Sequence, residues 1–180
     1  MTGWRGCRSV KVPRSRPKRY AGRTYTTDEL AAGYECAPAT RRRAKPTPPS
    51  VAEEAIARLL ERGIPVFISA QVLVEFWAVA TRPEQVNGLG WSTAAAAETI
   101  RALRDRFPML DETPDVWDRW FELVERCQVA GKRSHDARLA ALLVERGIRR
   151  LLTFNTADFP ASWGVEAFHP EELLATDGHG

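Results

Sequence analysis

"SHDARLAALLVERGIRRLLTFNTADF", residues 134–159, decides the fold. Its first half repeats apolar residues at helical spacing, Gly147 supplies a stop, and "RLLTF" is the short, continuously apolar run of a strand covered on both faces. A carboxylate stands at each end, Asp136 at the helix start and Asp158 just past the strand. The same grammar occurs upstream: "LLERGIPVFIS" at 59–69 matches "LVERGIRRLLTF" at 143–154, each reading helix, Arg-Gly-Ile, strand. Helices alternating with such strands predict an α/β fold, in three layers, with a short and mostly parallel sheet flanked by helices.

The segments between extend this pattern. "VAEEAIARLLERG" from Val51 puts Ile56, Leu59 and Leu60 on one helical face, and "AQVLVEFWAVATRP" is a helix ended by Pro83. "NGLG" at 87–90 is a loop, after which Ser92 caps a helix carrying Ala96, Ile100, Leu103 and Phe107 on one stripe. Thr113 caps the next, with Pro114 at its first position, Val116, Trp120, Leu123, Val124 and Cys127 on its apolar stripe, and Gly131 as its stop. Trp77, Trp117 and Trp120 fall among apolar positions and read as core.

Composition bounds the function. A chain of 180 residues with 44% hydrophobic content builds one real core. No run reaches the roughly 18 apolar residues of a membrane span, and the basic start has no apolar stretch behind it to make a secretory signal. Cys7, Cys36 and Cys127 are scattered, which fits a reducing cytoplasm; Cys127 reads as packing. Residues 1–50 hold 12 Lys and Arg against three acids, so the remaining 14 bases face 20 acids and the body is acidic. The pI of 9.0 therefore belongs to the amino-terminal segment and is poor support for a broad basic face on the fold. That segment, rich in Pro and Arg, has no periodicity beyond one short candidate helix near "TTDELAAGY", and reads as a disordered arm. The domain expected from this runs over residues 51–175, with a tail at 176–180.

Three acids stand out. Asp136 shares a helical face with Leu139, Ala140 and Leu143; Glu75 shares one with Val72, Ala78 and Val79; Asp158 lies at the carboxyl edge of the sheet, where open α/β folds bind ligands. Each has an ordinary explanation: Asp136 a helix dipole beneath a Ser134 cap, Glu75 a pair with Arg82, Asp158 a turn. Together they would repel unless a cation sat among them, and hard, oxygen-liganded Mg²⁺ or Mn²⁺ is the natural occupant. Lys132, Arg133 and Arg138 flank Asp136 and could hold a phosphate backbone or simply face water. His135 points to a different helix face, and His169 and His179 make no constellation. There is no Gly-rich phosphate loop, Ser-His-Asp pattern or cysteine-based site.

On "EFWAVATRPEQVNGLG" at 75–90, "HDARLAAL" at 135–142 and "LLTFNTADF" at 151–159, residues 51 to about 174 resemble the PIN-domain nucleases, and within them the VapC-type toxins of bacterial toxin–antitoxin pairs. The resemblance implies that Glu75, Asp136 and Asp158 are metal-coordinating catalytic acids, with Asn155 close by. It implies an Mg²⁺- or Mn²⁺-dependent endoribonuclease acting on RNA, a cognate antitoxin partner whose tail covers the site, and a homodimer. The pattern departs at the start. Family members begin with a strand ending in a first acid, and no apolar run of that kind precedes Val51; Asp28 in "TYTTDEL" sits in a polar context and does not receive the role. The expectations are a fold whose first strand is missing, an amino-terminal segment from a wrong start or reading frame, and weak or absent activity. Two further readings stay open: an inactive PIN-fold protein that binds antitoxin or RNA, and an α/β domain whose acids serve another ligand.

Overall fold

The computed structural model describes residues 30–32 and 50–175. Asp28, Cys7, Cys36, His179, the rest of the expected disordered arm and the tail at 176–180 lie outside the described residues. In chain order the elements are β1 (Leu30–Ala32), α1 (Val51–Glu61), β2 (Val66–Phe67), α2 (Ala70–Thr81), α3 (Thr93–Arg106), α4 (Asp115–Cys127), α5 (Arg133–Glu145), β3 (Arg150–Leu152), β4 (Glu166–Phe168) and α6 (Pro170–Ala175).

Among the described residues the sheet runs in the order β2-β1-β3-β4, every neighbouring pair parallel. The α/β reading with a short parallel sheet holds. Its missing first strand does not: β1 occupies the slot between β2 and β3, pairing Leu30 with Val66 and Arg150, and Ala31 with Phe67 and Leu151. The short helix expected near "TTDELAAGY" is at these three residues a strand. Leu-Ala-Ala is composed of good helix formers and is too short for a period-two signal; two flanking strands with open backbone groups override that preference. β4 and α6 also escaped the pattern, being too brief to show a period.

The repeated Arg-Gly-Ile unit folds the same way twice. Gly63 at φ 72° and Gly147 at φ 77° end α1 and α5. In each, the glycine N–H reaches back three residues (Leu60 O at 3.0 Å, Val144 O at 3.1 Å) and the isoleucine N–H five (Leu59 O and Leu143 O, both 2.9 Å). This is the Schellman closure, and it turns the chain at once into β2 or β3.

Other ends follow the sequence less closely. Ser92 Oγ accepts from Ala95 N at 3.2 Å as expected, and α2 stops before Pro83. α4 has no side-chain cap: Val116 N bonds the Thr113 carbonyl at 3.0 Å, while Thr113 Oγ1 is buried with no partner among the described residues. It ends at Gln128, left-handed at φ 49°, three residues before Gly131. Ser134 lies inside the first turn of α5 rather than capping it, its hydroxyl donating to Gly131 O at 2.8 Å.

The helices pack in pairs, α1 with α6, α2 with α3 and α4 along α5. The core joins Phe67, Ile68, Phe107, Leu142, Leu143, Ile148 and Leu151, with Cys127 packed against it. Leu60 is exposed, correcting its place on the buried face of α1, and Trp77 and Trp117 are exposed at 37% and 63%. Trp120 does pack against the core, its indole N–H donating to Ser134 O at 3.0 Å, while Trp117 stacks on the exposed Phe121.

Candidate active site

A parallel sheet places the starts of its following helices beyond the carboxyl ends of its strands. Here α2 starts three residues after β2, and the short 3₁₀ turn Thr156–Asp158 starts four residues after β3. The first turn of α5 joins these two elements.

α2 is launched by Ser69, which is buried and accepts from Val72 N at 3.2 Å through its Oγ. Its buried face is Val72, Leu73, Phe76 and Ala80, so Glu75 lies on its exposed side and not on the apolar stripe. Among the described residues its hydrogen-bond partner is Gln71, one turn back: Gln71 Nε2 donates to Glu75 Oε1 at 2.8 Å. The pairing with Arg82 does not occur.

Asp136 stands in the first turn of α5, half-buried, beside Ala137, Leu139 and Ala140, which are fully or nearly fully buried. Packing of those neighbours against the core sets the rotation of the helix and so fixes where Asp136 emerges. Its charge is also favoured by the amino end of the helix dipole. Asp158, half-buried, closes the turn after β3; the next residue, Phe159, is buried edge-to-face on Trp163 with centroids 6.3 Å apart, which anchors the turn. Asn155 is exposed at the start of that turn, its carbonyl accepting from Asp158 N at 3.1 Å.

Side chains from α2 and α5 tie the three acid-bearing elements together. Gln71 Nε2 also donates to His135 O at 2.8 Å, and its Oε1 accepts from Arg138 Nη1 at 3.0 Å. Arg138 Nη2 pairs with Glu112 Oε2 at 2.6 Å. On the other side Arg133 lies over the Trp163 ring, 5.2 Å from its centroid, and its Nη2 donates to the Asp158 carbonyl at 3.4 Å. Two of the three expected backbone-holding cations, Arg133 and Arg138, are thus engaged within the fold, and the third, Lys132, is exposed at the α5 amino end. Gln71, Glu112 and Ser69 escaped the sequence reading. Gln71 had a signal, being four residues before Glu75, but its partners on α5 are 64 and 67 positions away.

Among the described residues no group of three or more His, Cys, Asp or Glu side chains gathers closely enough to hold an ion by itself. Mg²⁺, however, is commonly held by one or two carboxylates, the rest of its shell being water and substrate phosphate. Carboxylate oxygens on linked elements beyond a parallel sheet fit that demand in donor type.

The PIN-domain family profile matches residues 49–161, well over half of the chain. No curated protein sequence matches it. Three solved complexes share the fold: VapBC-1 from nontypeable Haemophilus influenzae (TM-score 0.51, 13% identity, over 66% of this chain and 86% of that one), DNA-bound VapBC from Salmonella typhimurium (0.51, 15%, 79% and 98%), and VapBC2 from Rickettsia felis bound to a promoter DNA fragment (0.50, 16%, 65% and 84%). With the parallel sheet, the helix starts at its carboxyl edge and the profile in agreement, the chain belongs to the PIN-domain family.

Proposed function

We propose that this protein is a VapC-type toxin, a metal-dependent endoribonuclease held in check by a cognate antitoxin. The observation that supports this most is the tie between the elements that carry Glu75, Asp136 and Asp158: Gln71 on α2 bonds His135 O and Arg138 on α5, and Arg133 on α5 bonds the Asp158 carbonyl. Glu75, Asp136 and Asp158 would hold Mg²⁺ or Mn²⁺, with Asn155 beside them. When bound, such an ion lowers the pKa of a coordinated water and neutralises charge growing on phosphate oxygens. The chain's own part would be to hold the carboxylates in place, and Lys132, exposed at the amino end of α5, would meet a phosphate of the RNA backbone. Since residues 51–180 are net acidic, RNA affinity must depend on the ion and this local cation, and must fall steeply with salt.

The partners proposed are RNA as substrate, an antitoxin, and a second copy in a homodimer, in the cytoplasm; the VapBC complexes sharing the fold support the antitoxin. No helix among the described residues is long and apolar enough to cross a membrane. A second reading, a PIN-fold protein that binds antitoxin or RNA without cutting, is favoured by one observation, the absence of a closed three-acid cluster among the described residues. Incubation of the purified protein with structured RNA, with Mn²⁺ or with chelator, tests both. Cleavage abolished by chelator supports the enzyme; RNA binding without cleavage supports the binder; cleavage indifferent to chelator contradicts the metal reading.

A further inference from the structure

We propose that Gln71 is the positioning residue for Glu75: it fixes the Glu75 carboxylate against the first turn of α5, where Asp136 emerges. The inference rests on the reading of Glu75 as a metal-holding acid. Glu75 is exposed, and an exposed glutamate explores many rotamers unless something holds it. Gln71 is one helical turn away, and its amide is committed on both sides. Nε2 donates to Glu75 Oε1 and to His135 O, each at 2.8 Å, while Oε1 accepts from Arg138 Nη1 at 3.0 Å. A flipped amide would set its oxygen against two acceptors and its NH₂ against a guanidinium, so only this orientation satisfies all three partners.

Arg138 is itself held at 2.6 Å by Glu112, in the loop before α4. The chain Glu112–Arg138–Gln71–Glu75 thus runs from that loop across α5 to α2. It engages one oxygen of Glu75, Oε1, and leaves Oε2 to meet an ion. Groups that orient a metal-holding carboxylate without touching the metal typically affect affinity by about ten- to a hundredfold.

The test uses the full chain as wild type, Gln71→Leu, Glu75→Gln and the double variant. Mn²⁺ binding is followed by the resonance signal of the free ion, and RNA cleavage by its rate against Mn²⁺ concentration. Gln71→Leu should weaken Mn²⁺ binding about tenfold and move the activation midpoint by a larger factor than it lowers the plateau. The double variant should match Glu75→Gln, because Gln71 has nothing left to position. If Gln71→Leu fails to fold, as judged by its metal-free melting, Arg138→Met answers instead. It keeps Gln71 but frees its amide to rotate, and should shift the midpoint in the same direction by a smaller factor. Wild-type Mn²⁺ binding in Gln71→Leu beside weakened binding in Glu75→Gln would overturn the proposal and leave the site reading intact. Unchanged Mn²⁺ binding in Glu75→Gln would overturn both.

Discussion

The units α1–β2 and α5–β3 close with the same cap, Gly63 at φ 72° and Gly147 at φ 77°, yet they differ in everything that surrounds the cap. α1 is one-sided, burying Ala55, Ile56 and Leu59, whereas α5 packs along α4 and buries six of its thirteen residues. Arg62 at the first cap is exposed; Arg146 at the second is 5% exposed and donates from Nε to the Asp111 carbonyl at 2.5 Å. α1 begins with a closed capping box in which Ser50 Oγ accepts from Glu53 N and Glu53 Oε2 accepts from Ser50 N, at 3.3 and 2.7 Å. α5 has no side-chain cap, and Asp136 stands in its first turn. One local grammar therefore serves two purposes. In α1 the first-turn acid Glu53 closes the cap, whereas in α5 no side chain caps the start and the first-turn acid, Asp136, is the one proposed for the site.

The largest effect of this contrast is in packing. Leu143→Ala should cost about 3 kcal/mol and the corresponding Leu59→Ala about 2, because α5 is enclosed and α1 can relax toward solvent, while Leu60→Ala should cost under about 1. Urea unfolding of the three variants checks the order; equal losses at 143 and 60 would break the comparison. Next comes the arginine. Arg146→Ala removes a side chain that is 5% exposed together with its bond to the Asp111 carbonyl and should lose about 2 kcal/mol, against about 0.5 or less for Arg62→Ala, again by urea unfolding. The smallest difference is expected at the shared cap. A Cβ at Gly63 or Gly147 meets nothing within 4 Å, so each Gly→Ala change should cost only the left-handed backbone term of about 1–2 kcal/mol, and the same at both sites by thermal melting. Unequal costs there would mean the two units do not end alike.

The parts of this fold that were legible in the chain are those governed by neighbours in sequence. The Arg-Gly-Ile caps, the Ser92 cap, the stop before Pro83 and the burial of Leu139, Ala140 and Leu143 beside Asp136 all depend on residues within a few positions. Those that were not legible depend on distant partners. Leu30–Ala32 is a strand because β2 and β3 lie on either side of it, not because Leu-Ala-Ala favours one. α4 ends at Gln128 because its N–H finds the Glu125 carbonyl in a left-handed turn, so Gly131 is not needed as the stop. Trp117 stands on the exposed face although its neighbours Val116 and Trp120 are on the packed one. At the proposed site, the place of Asp136 in the first turn of α5 follows from local spacing, whereas Glu75 lies off the apolar stripe that spacing gave it, and the Gln71, Arg138 and Glu112 connections join segments far apart in the chain.

Asp136 is the proposed centre of a metal-dependent site at the start of α5. The measurement that tests it most directly is cleavage of structured RNA by the 180-residue protein in Mn²⁺ beside its Asp136→Asn variant, with Mn²⁺ binding followed on the same samples. Chelator-sensitive cleavage is expected of the parent, and in the variant a loss of rate on the order of a hundredfold together with weaker Mn²⁺ binding. Equal Mn²⁺ binding and equal cleavage by the two proteins would contradict it.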